Sequence, residues 1–335
     1  MSRSPAELRE ALTGLLAFPV TVFRSGDLSV DLGATRDQTD WLIEQGADGI
    51  IATGATGEYF SLTPDEFAEV HRACIETAAG RVPVLVGVGG SVGTAVGLAR
   101  EAERLGADGL MILPSAYAPA DQDGLVDYYG GIARSVDIGV VPYARDAARL
   151  EVDTVGRLAE LPNVVAYKDA IADFRLWNRL RASLGDRLVW IAGAGDDLAA
   201  PYFALGATAF TSSHVNYDPA VAMFLRDLLQ QGRFAEARGL LDVAIQPFFT
   251  VRARKRGYEV SVTKAAMDMR GRPGGPVRPP FVAVTEAERR LIGEALVQSA
   301  TYLANAAGSS SGDDGFIAAT GDDEQRHVGI GSNQR

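Results

Sequence analysis

Eight short apolar runs, rich in β-branched residues, alternate with stretches of helical periodicity along the first two thirds of the chain. Their mean spacing is roughly 27 residues, a usual length for one strand plus one helix. Continuous apolar strands that alternate with helices are typical of a parallel sheet covered on both faces. Eight such units predict an α/β fold, the (β/α)8 TIM barrel. The runs are residues 14–23, 48–54, 82–90, 108–115, 138–144, 163–169, 188–195 and 207–213.

One helix-to-strand turn recurs in three of these units. Gly46, Gly106 and Gly206 each stand just before a buried strand, where a helix C-cap favours a left-handed residue. The repetition supports a chain built from copies of one βα unit. The competing fold, an open doubly wound sheet, usually carries a GxGxxG turn after its first strand, and residues 22–31 contain none.

The chain is expected to divide into three parts. Residues 1–217 form the barrel core. Residues 218–305 contain two stretches with helical periodicity, 219–245 and 285–306, and are expected to pack on the barrel as additional helices. Residues 306–335 are rich in Gly, Ser and Asp without periodicity, which predicts a disordered tail.

Composition excludes several classes of function. The 335 residues carry a net charge of −11, which argues against nucleic acid and anionic membranes as partners. The single cysteine, Cys74, excludes an intrachain disulfide framework. No apolar run reaches the ~20 residues of a membrane span, and the N-terminal stretch lacks the apolar core of a signal peptide. We therefore expect a cytoplasmic protein.

Lysine is rare, since 29 of the 32 basic residues are arginine. Lys168 lies inside an apolar strand, and if Val165 and Tyr167 face the helices, Ala166 and Lys168 face the barrel axis. A desolvated lysine can lose its proton and attack a carbonyl to form a Schiff base, which arginine cannot do. The alternative is a buried ion pair with Asp169 or another carboxylate.

The two other lysines are weaker candidates. Lys255 lies in a charge run, RARKR, which is interpreted as a solvated face, and Lys264 lies on a predicted helix as a second Schiff-base candidate. Tyr143 ends the strand before that of Lys168, and adjacent strands lie ~4.8 Å apart, so its phenol can relay protons near the amine. Its alternative role is to cap the barrel core.

The loop after the second run, residues 54–58, is rich in glycine. Its backbone N–H groups can point at an anion, so a carboxylate could bind there beside the Thr56 hydroxyl. The alternative is a tight turn in which Thr56 or Glu58 only caps the next helix. Asp196 and Asp197 can bind a cation, but capping of the next helix is favoured. The three histidines are far apart and no zinc or phosphate motif occurs, so no metal is expected.

Several motifs resemble the dihydrodipicolinate synthase/N-acetylneuraminate lyase superfamily over roughly residues 12–300. They are FPVTVF near the start, GATGEYFSLTPDE, the tyrosine of the fifth strand and YKDA in the sixth. Within it, the chain is most similar to the 5-dehydro-4-deoxyglucarate dehydratases. That similarity lies in EYFSLTPDE, in the tetrad from Tyr143 to Asp146 and in residues 254–280.

The resemblance implies a role for each candidate residue. Lys168 would form the imine and Tyr143 would relay protons. Ala55 and Thr56 would bind the 2-oxo carboxylate, and Ser212 and Ser213 would face the distal end of the substrate. Arg145 would also bind the substrate. Tyr117 would be a further relay residue, which in relatives sometimes serves a neighbouring subunit. The resemblance also implies no metal or organic cofactor, a small 2-oxo sugar acid as partner, and a homo-oligomer, a dimer or a tetramer.

The implied reaction belongs to sugar-acid catabolism. It dehydrates and decarboxylates 5-dehydro-4-deoxy-D-glucarate to 2,5-dioxopentanoate, water and CO₂. The sequence departs from the usual dehydratase pattern at Ala55, Ala144, Ala170 and 195–197. A class I pyruvate-type aldolase or synthase acting on another 2-oxo acid is therefore the alternative. A non-catalytic sugar-acid sensor and a metal-dependent aldolase are further ones.

Overall fold

Eight parallel strands close into a barrel in chain order in the computed structural model, which describes residues 2–114, 120–146 and 148–310. Each predicted apolar run contains one strand, so the predicted barrel is confirmed. The strands are β1 (Gly14–Ala17), β2 (Gly49–Ala52), β3 (Val84–Val88), β4 (Gly109–Ile112), β5 (Gly139–Ala144), β6 (Ala166–Asp169), β7 (Val189–Ala192) and β8 (Ala209–Ser212).

Within the described ranges, one helix precedes the barrel and eight surround it. They are α1 (Pro5–Ala11), α2 (Leu32–Glu44), α3 (Pro64–Ala78), α4 (Val92–Leu105), α5 (Gln122–Ala133), α6 (Val152–Leu158), α7 (Phe174–Leu184), α8 (Ala199–Ala204) and α9 (Pro219–Gln230). Helix α9 follows β8 and packs against α8 and β1. It is therefore the eighth barrel helix, and the barrel extends past the expected boundary at residue 217.

Local signals determine where the helices begin and end. Helix α3 starts with a capping box in which the Thr63 hydroxyl accepts from the Glu66 N–H, and the Glu66 carboxylate accepts from the Thr63 N–H. The three glycines expected in left-handed turns have positive φ, 95° at Gly46, 91° at Gly106 and 90° at Gly206. The repeated turn is confirmed.

Side chains alternate between the barrel interior and the layer under the helices. The interior cluster contains Leu16, Ile51, Leu85 and Met111, whereas Tyr167 packs in the outer layer. The condition that Val165 and Tyr167 both face the helices holds for Tyr167 but not for Val165. It precedes the first residue of β6, where the strict alternation does not yet hold, and packs with the interior cluster.

Further helices follow the barrel. They are α10 (Phe234–Leu240), a π-helical turn (Leu241–Ile245), α11 (Gln246–Arg252), α12 (Tyr258–Met269) and α13 (Glu286–Ser310). The helix expected over 219–245 is interrupted near Gly232, which has a φ of 69°. Helix α13 continues to Ser310 and so includes the first residues of the tail expected from residue 306. The rest of that expected tail, residues 311–335, lies outside the described part. No helix among the described residues is long and apolar enough to span a membrane.

Candidate active site

Tyr143 and Lys168 lie side by side at the C-terminal ends of β5 and β6. The two residues are direct partners in the parallel register, and Lys168 Nζ lies 3.4 Å from the centroid of the Tyr143 ring. Both side chains are buried, and Phe18 covers the amine with its ring centroid 4.9 Å from Nζ. The structure thus brings together the two residues that sequence reasoning placed in the catalytic roles.

The environment of Lys168 favours the neutral amine. Burial is the main cause that lowers its pKa well below the usual range, and the positive charge of Arg145 lowers it further. The buried pair with Asp169 is absent among the described residues. Asp169 instead accepts hydrogen bonds from the hydroxyls of Tyr167 and Tyr202 and from the N–H of Ala172.

Gly193, which follows β7, leaves room for the lysine side chain. A Cβ atom at this position would lie 2.8 Å from both Cγ and Cε of Lys168 and 2.8 Å from the carbonyl oxygen of Asp169. Any larger residue would therefore displace the amine from its place beside Tyr143. Gly193 was not among the residues predicted for the site, and its only local signal is the GAG stretch at the end of the seventh run.

The Tyr143 phenol faces Arg145 two residues along the chain. Burial raises the pKa of Tyr143 to about 12, and Arg145 opposes that shift. The Arg145 guanidinium lies 3.4 Å from the Tyr143 hydroxyl through Nη1, and it also pairs with Asp146 at 3.2 Å and with Glu259 at 3.7 Å. At neutral pH the phenol is thus protonated and next to a fixed cation, which suits a proton relay.

The glycine-rich turn after β2 is held in an unusual backbone conformation. Thr53 has a φ of 50°, rare for a β-branched residue. Its hydroxyl donates to the carbonyl of Gly87 at 3.1 Å and accepts from Nε2 of His71 at 2.7 Å. Burial lowers the pKa of His71 to about 3, so the ring stays neutral. This network presents Ala55 and Thr56 to the pocket.

A cavity of about 500 Å³ opens above Lys168. Thr56, Lys168 and Ser213 line it, together with residues from the loop that joins α11 to α12. Basic side chains in this lining outnumber acidic ones, which suits a substrate with more than one carboxylate. The basic residues are Arg145, Lys168, Arg252, Lys255 and Arg256, and the acidic ones are Asp146, Asp196 and Glu259.

The two serines predicted at the end of β8 lie in different environments. Ser213 lines the cavity, as Thr211 does, but Ser212 does not. Its side chain is fully buried, and its hydroxyl accepts from the N–H of Val215 at 3.1 Å. Ser212 therefore points away from the cavity, because the pleat turns alternate residues of a strand to opposite faces. Its role in substrate binding stays a prediction.

Asp196 and Asp197 form a buried acidic pair after β7. Neither makes the side-chain cap expected for the next helix, and both oxygens of Asp196 lack a hydrogen-bond partner. Burial raises the pKa of Asp196, and burial together with Asp196 raises the pKa of Asp197 to about 6. In the described part of the chain, no group of three or more His, Cys, Asp or Glu side chains could hold a metal ion.

The other predicted residues have different outcomes. Lys264 is not at the site: its ammonium lies 2.6 Å from the buried Glu58 carboxylate and donates to the carbonyl of Pro276. Lys255 is exposed, but its charge run also contains Arg252 and Arg256, so the run borders the cavity rather than forming only a solvated face. Tyr117 lies outside the described residues.

Sequence reasoning missed Arg252 and Glu259, which both line the cavity. They follow the last strand by about 40 residues or more, and no periodic signal connects this segment with the strand ends. The only local sign is the density of basic residues in RARKR.

Comparison with known proteins places the whole barrel in one family. The Dihydrodipicolinate synthetase family matches residues 11–299. A protein of Bradyrhizobium diazoefficiens named "Probable 5-dehydro-4-deoxyglucarate dehydratase" is 41% identical over 85% of this chain and 92% of its own length. A Saccharopolyspora erythraea protein of the same name is 40% identical over 89% of this chain and 97% of its own.

Solved structures share the architecture at lower identity. Dihydrodipicolinate synthase from Oceanobacillus iheyensis superposes with a TM-score of 0.84 at 27% identity, covering 89% of this chain and 99% of that one. The chloride-inhibited dihydrodipicolinate synthase from Acinetobacter baumannii, complexed with pyruvate, superposes with a TM-score of 0.79 at 28% identity, covering 86% and 99%.

Proposed function

The chain belongs to the dihydrodipicolinate synthetase family, and from this premise we propose that it is a Schiff-base lyase. It dehydrates and decarboxylates 5-dehydro-4-deoxy-D-glucarate to 2,5-dioxopentanoate, water and CO₂. The names of relatives that are about 40% identical over most of the chain support this substrate. The observation that carries the mechanism is the buried Lys168 amine, 3.4 Å from the ring centroid of Tyr143 at the bottom of a cation-lined cavity.

The reaction begins at the ketone of the substrate. The neutral amine of Lys168 attacks the carbonyl carbon, the Tyr143 phenol protonates the departing hydroxyl, and loss of that water leaves a protonated imine and the Tyr143 phenolate. The turn with Ala55 and Thr56 holds the adjacent 2-oxo carboxylate through N–H groups and the threonine hydroxyl. This role is supported by the rigid network around Thr53, which aims the turn at the cavity.

The imine then acts as an electron sink for two eliminations. Tyr143 or a water takes a proton from the neighbouring CH₂, and the resulting enamine expels the β-hydroxyl, which leaves as water after protonation. The bond to the distal carboxylate next breaks, CO₂ leaves, and its electron pair passes through the conjugated system to the iminium nitrogen. Protonation on carbon and hydrolysis release 2,5-dioxopentanoate and return the free lysine.

Borohydride trapping tests the covalent step. The protein is incubated with pyruvate or with 5-dehydro-4-deoxyglucarate, reduced, digested and analysed by mass spectrometry, and CO₂ release is measured in parallel. We expect an adduct on the peptide of Lys168 with both compounds and CO₂ from the sugar acid alone. An adduct on Lys264, or none, would contradict the mechanism. Trapping without CO₂ release, together with consumption of an added aldehyde, would favour the aldolase alternative.

Two further proposals concern the cellular location and the oligomeric state of the enzyme. We place it in the cytoplasm, where the buried free thiol of Cys74 remains reduced. We also propose a homo-oligomer, a dimer or a tetramer, as the family resemblance implies. Light scattering coupled to size exclusion measures the mass directly, and a monomer of 35.5 kDa would overturn the second proposal.

A further inference from the structure

Arg252, at the C-terminus of α11, is a half-buried cation that lines the cavity. Its guanidinium donates from Nη2 to the hydroxyls of Tyr217, at 3.3 Å, and Thr263, at 3.1 Å. The guanidinium carbon lies 4.6 Å from the centroid of the Phe249 ring. Two neutral hydroxyls and an aromatic face thus orient the group without neutralising it.

No carboxylate of the described residues pairs with Arg252 within 4 Å. Its Nε atom is buried and has no hydrogen-bond partner. Asp196 and Asp197 lie close enough for Arg252 to lower their pKa, but burial outweighs that effect for both carboxyls. A buried, unpartnered N–H of a charged guanidinium is costly unless a ligand satisfies it.

The other cations of the lining are differently placed. Arg145 is already shared between Asp146 and Glu259, and Lys168 is the amine of the Schiff base. Lys255 and Arg256 are exposed, so water screens their charges. Arg252 is therefore the cation of the cavity that has a buried N–H group and lacks an ion-pair partner in the described part of the chain.

We infer that Arg252 binds the distal carboxylate of the substrate, the one that later leaves as CO₂. This inference rests on the proposed function. Thr56 follows β2, whereas Arg252 contacts Tyr217, which follows β8. Phe249, also in α11, lies beside Gly195, which follows β7. A six-carbon dicarboxylate joined to Lys168 thus has one anchor for each end, in two sectors of the barrel mouth. Ser213 lines the same sector.

Binding of the distal carboxylate by Arg252 makes the site selective for dicarboxylates. The distal contact exists only while the substrate keeps its second carboxylate, because the product ends in an aldehyde. Arg252 therefore favours binding of the dicarboxylate over the product and over one-carboxylate acids such as pyruvate. Planar guanidinium–carboxylate pairing also explains why lysine would serve less well here.

The test uses a ligand that binds but cannot react further. 2-Oxoadipate has six carbons and two carboxylates but no hydroxyl to eliminate, so borohydride trapping on Lys168 reports its binding without turnover. In Arg252→Gln we expect the half-saturating concentration of 2-oxoadipate to rise roughly 10- to 100-fold, from the loss of a charged hydrogen bond. Trapping by pyruvate should stay unchanged. Arg252→Lys should give an intermediate value.

The matched control is Arg254→Gln, which removes an exposed cation from the same segment that does not line the cavity and should leave both ligands unaffected. Equal weakening of pyruvate and 2-oxoadipate in Arg252→Gln would assign the arginine a structural role and overturn the inference. So would unchanged 2-oxoadipate binding, or a larger effect in Arg254→Gln. Failure of the proposed function is seen separately, as wild-type protein that traps both acids but releases no CO₂ from the sugar acid.

Discussion

Tyr143 and Lys168 are register partners on adjacent strands, and the lysine nitrogen lies over the tyrosine ring at 3.4 Å from its centroid. The contact places a buried amine against the face of an aromatic ring rather than in line with its hydroxyl. Attraction between a cation and the ring face would stabilise the protonated amine. Burial acts in the opposite direction and dominates, since the pKa of Lys168 is lowered well below its usual range.

Replacement of Lys168 by methionine should abolish catalysis without unfolding the barrel. Methionine fills a similar volume without a buried charge, so we expect thermal stability at least equal to wild type. Turnover of the sugar acid should fall at least about 1,000-fold, and borohydride adducts should disappear. Calorimetry and trapping measure the two effects. Residual adducts on another lysine would identify a different nucleophile.

Replacement of Tyr143 by phenylalanine should slow proton transfer but keep the imine. The ring beneath the amine remains, and only the hydroxyl beside Arg145 is lost. We expect kcat to fall about 100- to 10,000-fold, the usual contribution of a general acid–base group. Pyruvate should still be trapped on Lys168 after long incubation. A variant with wild-type kcat would assign the proton transfer to water.

The pH dependence of trapping should reveal the shifted lysine. The attacking species is the neutral amine, so the rate rises with pH through the pKa of folded Lys168 and levels off well below 10.5. Arg145→Gln removes a cation that lowers this pKa and should move the rising limb to higher pH. Arg254→Gln, which removes an exposed cation outside the cavity lining, serves as the control with an unmoved limb. A wild-type limb centred in the ordinary lysine range would contradict the prediction.

The same pKa shift sets the sign of a stability effect. Because the pKa of Lys168 is lower in the folded state, the unfolded chain binds more protons between the folded value and 10.5. Burial of Lys168 therefore costs stability at low pH, and the cost disappears as pH rises through that window. Denaturant unfolding at several pH values should show this rise in wild type and a smaller one in Lys168→Met.

Gly193→Ala should disable the site although it removes no functional group. The new methyl would lie 2.8 Å from Cγ and Cε of Lys168, so the side chain must move. We expect trapping by pyruvate to slow about 100-fold or more, since small misplacements of a reacting group are this costly. Gly97→Ala, in α4, has no atom within 4 Å of the added Cβ and should keep full activity. Normal trapping in Gly193→Ala would show that the lysine has free space elsewhere.

The Glu58–Lys264 ion pair should contribute to stability rather than to chemistry. Both side chains are buried with 2.6 Å between their charged atoms, and burial lowers the pKa of Lys264 although Glu58 opposes it. Glu58→Gln leaves an uncompensated charge and should cost about 3–5 kcal/mol of unfolding free energy. The exposed pair of Arg157 and Asp123 is the control, at about 0–1 kcal/mol. The double variant Glu58→Gln/Lys264→Met should recover part of the loss.

Much of the fold is determined by the order of elements in the sequence. Eight apolar runs that alternate with amphipathic helices can bury their strands only in a parallel sheet covered by helices. The same pattern placed Lys168 and Tyr143 at neighbouring strand ends, because a strand's position in the barrel follows from its order in the chain. The left-handed glycines at 46, 106 and 206 were equally readable from local chemistry.

Strand pleat limited the prediction at single-residue level. Ser212 and Ser213 are adjacent in sequence, but only Ser213 lines the cavity. The side-chain period is two residues, so an uncertainty of one position in a strand end exchanges the inward residue for the outward one. Val165 lies just before β6, where this alternation does not yet hold, so the pattern did not predict its direction either.

The tertiary structure alone decided the composition of the distal end of the site. Arg252 and Glu259 belong to helices α11 and α12, which follow the barrel, and helical periodicity states which residues share a face but not what that face meets. Their approach to the mouth depends on long-range packing, such as that of Phe249 near Gly195 and of Arg252 on Tyr217. The sequence by itself determined the barrel and the neighbouring positions of Tyr143 and Lys168, because these depend on local order. The positions of Arg252 and Glu259 depend on contacts between segments distant in sequence, which only the folded chain brings together.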